Sequence, residues 1–548
     1  MTRLQKLLLS AASGILLSLG WPPLPFFPLL FIAFIPILWL EDEAYNNHIS
    51  SRSFFGYTYL ALLIWNIVTT WWVGATYFGT KDISTAVAGL IANTANPLLM
   101  SIPVMAYHRT RLRFGNAAGY LSLPAYWITF EFIHLRWDLS WPWLSLGNGF
   151  AGFPQLIQWY EYTGALGGAC WILLTNILLY RLLYVFLSGR LYLNYRRLTY
   201  SALLVIFLPV VLSLSIYYSY REQGIPQNVV VVQPNIDPYG AKFDPATLQS
   251  QMQTLIGLSR QKVDTSTDYL VFPETALPDG IDINNLAGNP FIRPLQEFRA
   301  AHPGLKIITG ISSYAIYQSA ETPTARKSED GTFYWDAFNS AIQLDSTGNI
   351  PIYHKSKLVP GVEKMPYPKI FGFLESLALD MGGTSGSLGS QPYRSVFFSK
   401  SADDSIGAAA LICYESIYGE YSNEYVQRGA GLLFVITNDG WWGNTAGYKQ
   451  HILYGALRAI ETRKDVAQSA NTGTSAFINQ RGDISDRTPW WEPAVISKTL
   501  HANSTQTFYV RYGDLIGRLC ILITAVLAAY SVYSRIAERL RTRKSHFE

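Results

Sequence analysis

Leu198–Ile236 reads LTYSALLVIFLPVVLSLSIYYSYREQGIPQNVVVVQPNI, and the fold turns on how its two halves differ. Residues 198–219 form an almost unbroken apolar run. Its length, about 20 residues, is what a helix needs to cross the hydrocarbon of a bilayer. After the polar stretch Arg221-Glu-Gln-Gly224, the run Asn228–Ile236 is short, rich in Val and closed by Pro and Asn, which reads as a buried strand. A membrane helix therefore hands over to a folded domain near residue 220.

Toward the amino terminus, apolar runs recur at 7–20, 24–40, 54–78, 85–107, 117–135 and 165–187, and one more lies at 514–534. Pro22, Pro23 and Pro25 break the chain tightly between the first two. The expectation is a polytopic α-helical membrane domain of about eight spans. Seven helices fall in 1–219, a separate domain in 220–513, a C-terminal transmembrane helix in 514–534 and a basic tail in 535–548. The first run, behind Arg3 and Lys6, has the make-up of a signal peptide, but Trp21-Pro-Pro reads as a turn into the next span and favours a retained helix.

Cations test this arrangement, because Lys and Arg collect on the cytoplasmic side. With Arg3 and Lys6 inside, alternation also puts inside Arg52; Arg109, Arg111 and Arg113; Arg190, Arg196 and Arg197; and a tail with Arg535, Arg539, Arg541, Arg543 and Lys544. Outside loops carry little beyond Lys81 and Arg136. Seven crossings then place 220–513 outside the cytoplasm. Charged residues are 15% and aromatics 14% of 548 residues, a balance that argues against disorder. A net charge of +4 over this length argues against a nucleic-acid partner.

Trp71, Trp72, Trp137, Trp141, Trp143 and Trp159 crowd the outer ends of the spans. On physics alone an interfacial belt is the favoured reading, with a lipid path lined by the Trp141–Asn148 loop as the other. Glu131 lies within an apolar span, near its outer end. It reads as a functional carboxylate or, at least equally, as a snorkelling or paired one.

In 220–513, further buried strands are expected at Asp268–Pro273, Lys306–Ser312, Asn339–Leu344, Ile406–Cys413, Leu432–Thr437 and Ser475–Asn479. Helical spacing of apolar residues appears at 245–263 and 449–462. Strands mixed with helices imply an α/β domain with both faces covered. The Gly382–Ser390 stretch fails as a phosphate cradle, lacking Lys-Ser/Thr, and reads as a loop.

Of three cysteines, Cys170 and Cys520 lie in expected spans, so Cys413 has no disulfide partner in its domain. It ends the apolar strand Gly407-Ala-Ala-Ala-Leu-Ile412 and is followed by Tyr414 and Glu415. Strand exits are where reactive groups emerge in α/β folds, although a free cysteine is also a common small core residue. Glu274 in Phe272-Pro-Glu-Thr275 and Lys355 in Tyr353-His-Lys-Ser356 also follow strands. Together they supply a thiol, a carboxylate and an ammonium, the materials of an activated nucleophile. No CxxC or Cys/His pair suggests a metal, and no organic cofactor is indicated.

Pro-Glu-Thr at 273–275, Tyr-His-Lys at 353–355 and Cys-Tyr-Glu at 413–415 resemble the Glu-Lys-Cys triad of the nitrilase superfamily. Leu358-Val-Pro-Gly-Val-Glu363 resembles that family's segment after the lysine. Asn438-Asp-Gly-Trp-Trp-Gly443, Gln450-His451 and Arg458-Ala-Ile-Glu461 resemble its segment after the cysteine. Seven spans before such a domain and one after it, with Pro142-Trp-Leu-Ser-Leu-Gly147, resemble the apolipoprotein N-acyltransferase family over essentially the whole chain. Lys242-Phe243-Asp244, where the family often has Trp, and Gly361-Val-Glu363, where it often has Phe-Gly-Glu, depart from the pattern.

The resemblance implies an αββα sandwich on the periplasmic side of a bacterial inner membrane. It implies transfer of an acyl chain from a phospholipid to the α-amine of a diacylglyceryl-cysteine on a lipoprotein, through a thioester on Cys413. Glu274 would be the base and Lys355 would stabilise the oxyanion. Glu363 and Glu415 match positions that orient these groups or form structural salt bridges. Tyr414, Trp441 and Trp442 match pocket positions. One site per chain implies that a monomer suffices. The apolar stretch Ile370–Met381 reads equally as an arm dipping into the leaflet and as core. Two rivals remain: a membrane-tethered amidase using the same triad with water, and a transporter or receptor, which predicts charged or broken spans.

Overall fold

The computed structural model describes residues 1–47, 49–189, 195–371, 387–399 and 407–544, with side chains through Leu540. Among the described residues, five helices are long and apolar enough to cross a membrane: Ser51–Thr80, Ile83–His134, Tyr160–Leu187, Tyr195–Ser219 and Leu515–Leu540. The longest is two helices. Gly115, at φ 79° and ψ −174°, leaves helical geometry. A straight 52-residue helix would run about 78 Å. Instead His134 Nε2 lies 3.1 Å from Asn96 Oδ1, so the chain doubles back at Gly115. The separate loop expected between 107 and 117 shrinks to this one glycine, because Arg109–Phe114 continue the first helix.

The run at 24–40 behaves differently. Its prolines hold the chain in a 3₁₀ turn at Phe27–Phe31, and helix begins only at Ile35, running to Asn46. Its last turns carry Glu41 and Asp42 into the interior, where both pair with Arg111. Arg111, expected in a solvated inside loop, is a buried structural cation.

The strands are β1 (Ile225–Gln233), β2 (Tyr269–Val271), β3 (Leu277–Asp282), β4 (Lys306–Tyr317), β5 (Arg326–Lys327), β6 (Tyr334–Leu344), β7 (Ile352–His354), β8 (Gly407–Ile412), β9 (Ala430–Thr437), β10 (Asp465–Ala470), β11 (Ala476–Ile478), β12 (Ile484–Ser485) and β13 (Ala494–Ala502). One sheet runs β13-β1-β2-β4-β6-β5, with β3 on β4 and β7 on β6; the other runs β12-β11-β10-β9-β8. Period-two alternation sets the layers. Val229 and Val231 face the second sheet and share one apolar cluster with Phe434, whose ring meets Tyr269 of β2 at 5.2 Å between centroids. Val230 and Val232 face outward onto Met252, Leu255, Leu295 and Phe298 of helices Leu248–Ser259 and Arg293–Ala300. Helices Gly419–Gln427 and Ala446–Thr462 cover the second sheet and complete an αββα sandwich.

Every strand expected from sequence is present. β3, β5, β10, β12 and β13 are additional: β3 carries Pro278 and Gly280, β5 and β12 are two residues long, the DVAQSA of β10 is too polar to read as a strand yet is wholly buried, and β13 is half-exposed. The sandwich is not a detached domain. Tyr414, Ile417, Tyr418, Tyr454, Leu457 and Ile460 belong to the same apolar core as the helical bundle. Gln450 ties the two, donating to Pro22 O and accepting from Trp143 Nε1.

Candidate active site

Glu274, Lys355 and Cys413 come from three strand exits, after β2, β7 and β8, and line one cavity of about 750 Å³. Cys413 sits at φ 50°, in the left-handed region that non-glycine residues rarely adopt. Glu415 holds this bend. Its Oε2 accepts from the Ile412 N–H at 2.8 Å, and its Oε1 accepts from the Ser356 N–H at 2.9 Å and from the Tyr353 and Tyr421 hydroxyls, each at 2.6 Å. Glu415 therefore braces the loop after Lys355 against the turn at Cys413 and does not contact the ammonium.

Lys355 is buried between two carboxylates, with Nζ 3.1 Å from Glu274 Oε1 and 2.8 Å from Glu363 Oε1. Asn339 on β6 donates from Nδ2 to the same two oxygens, at 2.7 and 3.1 Å. The other oxygen of Glu363 accepts from the Val359 N–H. Burial alone would neutralise these groups, but mutual attraction prevails. Burial pushes the Lys355 ammonium down, yet Glu274 and Glu363 raise it well above its ordinary value. Burial pushes Glu274 up, yet Lys355 and Asn339 bring it below the ordinary carboxylate range. The Cys413 thiol is raised well above its ordinary value by burial and by Glu274, with Lys355 opposing.

Two members of this cluster carried no sequence signal of function. Asn339 reads from the sequence only as the start of a strand. Lys242 stands out in the sequence only as a departure from a family pattern. It is buried, donates to Glu274 O at 2.9 Å, and burial lowers its ammonium to about 7 against the pull of Glu274.

The sandwich supplies one part of the cavity wall, with Thr275, Ser312, Tyr314 and Phe338 among its residues, and the helical bundle supplies another. Val87, Ala88, Ile91, Ala92, Ala95 and Leu99 form an apolar flank. Trp72, Trp141 and Trp143 line the cavity as well, and Trp72 and Trp143 are 1% exposed. For these three the interfacial-belt reading gives way to a wall of the site. Trp441 and Trp442 also line it, Trp442 packing on Trp72 at 4.7 Å between ring centroids. Tyr414 lines it and donates to Ser140 O at 2.8 Å. Glu131 is buried and has no cation partner among the described residues: its Oε1 accepts from Trp127 Nε1 and from the Leu146 N–H, fixing the Trp-rich loop. Phe371 reaches the cavity, while 372–381, most of the expected apolar arm, falls outside the described residues. Glu222, Asp465 and His501, the cluster of metal-ligand atoms found among the described residues, do not line the cavity.

Residues 228–509 match the carbon-nitrogen hydrolase family, and residues 13–178 match the apolipoprotein N-acyltransferase N-terminal domain. Proteins named apolipoprotein N-acyltransferase are similar along nearly the whole length. That of Chlorobaculum tepidum is 28% identical over 94% of each chain. That of Geobacter metallireducens is 28% identical over 95% of this chain and 94% of its own. That of Thermotoga maritima is 25% identical over 95% and 93%. With its sandwich matching the hydrolases and its helical bundle matching the acyltransferase domain, the chain belongs to the carbon-nitrogen hydrolase family, and within it to the apolipoprotein N-acyltransferases.

Proposed function

We propose that the chain moves an acyl chain from a membrane phospholipid to the N-terminal α-amine of the diacylglyceryl-cysteine of lipoproteins, the last step of their maturation. The observation that carries this reading is the composition of the cavity. Cys413, Glu274 and Lys355 share it with an apolar flank of the membrane helices. A thiol placed where an alkyl chain can lie suits a lipid ester, and a water-using amidase has no need of that flank.

The hydrogen bonds to Glu274 from Asn339 and Lys355 both fall on Oε1. Its second oxygen takes the Cys413 proton as Sγ attacks the ester carbonyl carbon. The carbonyl π pair moves to oxygen, where Lys355 and the Tyr414 N–H meet the charge. As the intermediate collapses, the C–O bond breaks and Glu274 returns its proton to the departing lysophospholipid oxygen. A thioester remains on Cys413. The lipoprotein amine attacks it, Glu274 removes the amine's proton, and the amide forms as the thiol is restored. A thiol pushed this high in the resting protein needs Glu274 at the moment of attack, because the thiolate is the nucleophile. Glu363 and Asn339 orient Lys355 and Glu274, Glu415 holds the Cys413 turn, and Tyr414, Trp441 and Trp442 shape the pocket.

The five long helices, one doubled at Gly115, together with the two short amino-terminal helices, support eight crossings. The Arg and Lys distribution supports a multi-pass inner-membrane protein with the sandwich on the periplasmic face. The three triad residues and the described wall of the cavity belong to one chain, which supports action as a monomer.

The test is mass spectrometry of the purified protein incubated with phospholipid alone. The expected result is an acyl-sized mass increase on the Cys413 peptide, removed by hydroxylamine, with release of lysophospholipid. Ammonia release from small amides, with phospholipid untouched, would overturn the reading in favour of an amidase.

A further inference from the structure

The segment after Cys413 holds a second buried pair that the reaction as written leaves unused. His451 Nδ1 lies 2.8 Å from Asp439 Oδ1, and both side chains are fully buried. On the other side of the ring, Nε2 lies 2.9 Å from Ser416 Oγ and 3.3 Å from the Cys413 carbonyl oxygen. Ser416 Oγ itself donates to that carbonyl at 2.7 Å.

These partners settle the protons. A carboxylate accepts only, so Nδ1 carries hydrogen toward Asp439. Ser416 spends its hydroxyl hydrogen on the Cys413 carbonyl, so its oxygen accepts from Nε2. The nearby carbonyl oxygen also requires a donor there. Both ring nitrogens are therefore donors, and His451 is an imidazolium paired with Asp439. Burial pushes the imidazole down, but Asp439 and the Cys413 carbonyl leave it above its ordinary value.

The Cys413–Tyr414 peptide is trans, since among the described residues the cis bond is Pro22–Pro23. In a trans peptide the carbonyl and the N–H point in opposite directions across one rigid plane. Two donors gripping the Cys413 carbonyl therefore fix where the Tyr414 N–H points. Tyr414 also lies in the first turn of the 3₁₀ segment Cys413–Ile417, where an N–H has no partner within the helix.

We infer that His451, braced by Asp439, is a positioning residue that holds the Cys413–Tyr414 peptide so that the Tyr414 N–H faces the oxyanion of the attacked ester. This rests on the acyl-transfer reading above. It assigns a task to the Asn438-Asp439 and Gln450-His451 motifs, which the triad does not absorb. It also explains why the nucleophile occupies a strained backbone region: Glu415 grips the turn from the Ile412 N–H, and His451 with Ser416 grips it from the Cys413 carbonyl.

The experiment compares two reactions of Cys413 in the full-length protein. Alkylation by iodoacetamide develops no oxyanion, whereas acylation by a phospholipid, or by a p-nitrophenyl ester as a small probe, does. In His451→Ala, acylation should fall about 100-fold, the loss typical of one oxyanion donor, because the peptide is free to rotate. Alkylation should stay within about threefold, since thiol reactivity follows thiolate character and access. His451→Gln, which keeps one donor, should recover part of the loss. Ser416→Ala, a small change that leaves the fold intact, should lower acylation alone and by less. Equal acylation in wild type and His451→Ala, or equal loss of acylation and alkylation in both His451→Ala and Ser416→Ala, overturns the inference and leaves the acyl-transfer reading standing. A wild type that neither ester acylates overturns both.

Discussion

Two buried ionic clusters, one in each half of the molecule, use the same materials to different ends. At the Gly115 end of the helical bundle, Arg111 pairs with Glu41 and Asp42, His108 Nδ1 lies 3.0 Å from Glu41 Oε1, and the Tyr107 hydroxyl donates to Glu41 Oε2. The Arg111 guanidinium is sandwiched by Tyr45 and Tyr120. In the sandwich, Lys355 pairs with Glu274 and Glu363. Taking such charges out of water costs several kcal/mol per ion unless partners replace the water. Both clusters meet that condition. The first is enclosed by packing and lines no part of the large cavity, so its attraction serves only to pin one short helix to the doubled one. The second lines the cavity beside a thiol. The first arrangement braces structure; the second sets a carboxylate and an ammonium beside a thiol and open space, the materials of the proposed reaction.

The comparison breaks most decisively at Cys413. Cys413→Ala should abolish acyl-enzyme and lower turnover by about 10⁴-fold or more, with thermal stability retained. Intact-mass analysis and a melting curve in detergent read both. If turnover survives, the sandwich cluster is structural like its counterpart.

Lys355→Met should lower acylation by roughly 10³-fold, as loss of a charged oxyanion partner does. It should also shift Cys413 alkylation. Lys355 opposes the rise of the thiol pKa, so removing it moves the alkylation–pH curve further to the alkaline side. In wild type that curve should still climb above pH 9, because burial and Glu274 hold the thiol above its ordinary value. A wild-type curve already flat at neutral pH would contradict the Glu274 base assignment.

In the other cluster, Glu41→Gln leaves Arg111 short of a partner in the interior. It should cost about 3–5 kcal/mol of stability while the rate of acylation per folded molecule stays that of wild type. A rate loss without a stability loss would erase the distinction between the clusters. Lys242→Met should have the smallest effect, about tenfold in acylation, through loss of one charge-assisted hydrogen bond to the Glu274 backbone. It sharpens the comparison by asking how far around Glu274 the functional cluster extends.

Much of the site could be read along the chain because its members follow strands. Glu274, Lys355 and Cys413 each sit just past an apolar run, and a short apolar segment that ends in a polar residue is a local signal. β10 lacks that signal: it is buried on both faces yet carries Gln468 and Ser469, which bond to Thr474 O and Val232 O. Gly115 shows the converse. Arg109, Arg111 and Arg113 read as a loop by charge, but Arg is a good helix former, and the break needs only one residue able to adopt φ 79°.

Sequence alone determined the division near residue 220, the apolar runs of the bundle, the α/β texture of the second half and the three strand-exit residues, since each depends on neighbours within a few positions. The tertiary structure alone decided that Asn339 and Lys242 attend Glu274, that Glu363 rather than Glu415 holds Lys355, that Trp72 and Trp143 wall the cavity, and that His451 grips the Cys413 carbonyl. Glu363 and Lys355 are eight positions apart, and the other pairs are separated by 30 positions or more. Their partners are chosen by which faces pack together and by the need to pair every buried polar group, and no local pattern in the chain encodes that choice.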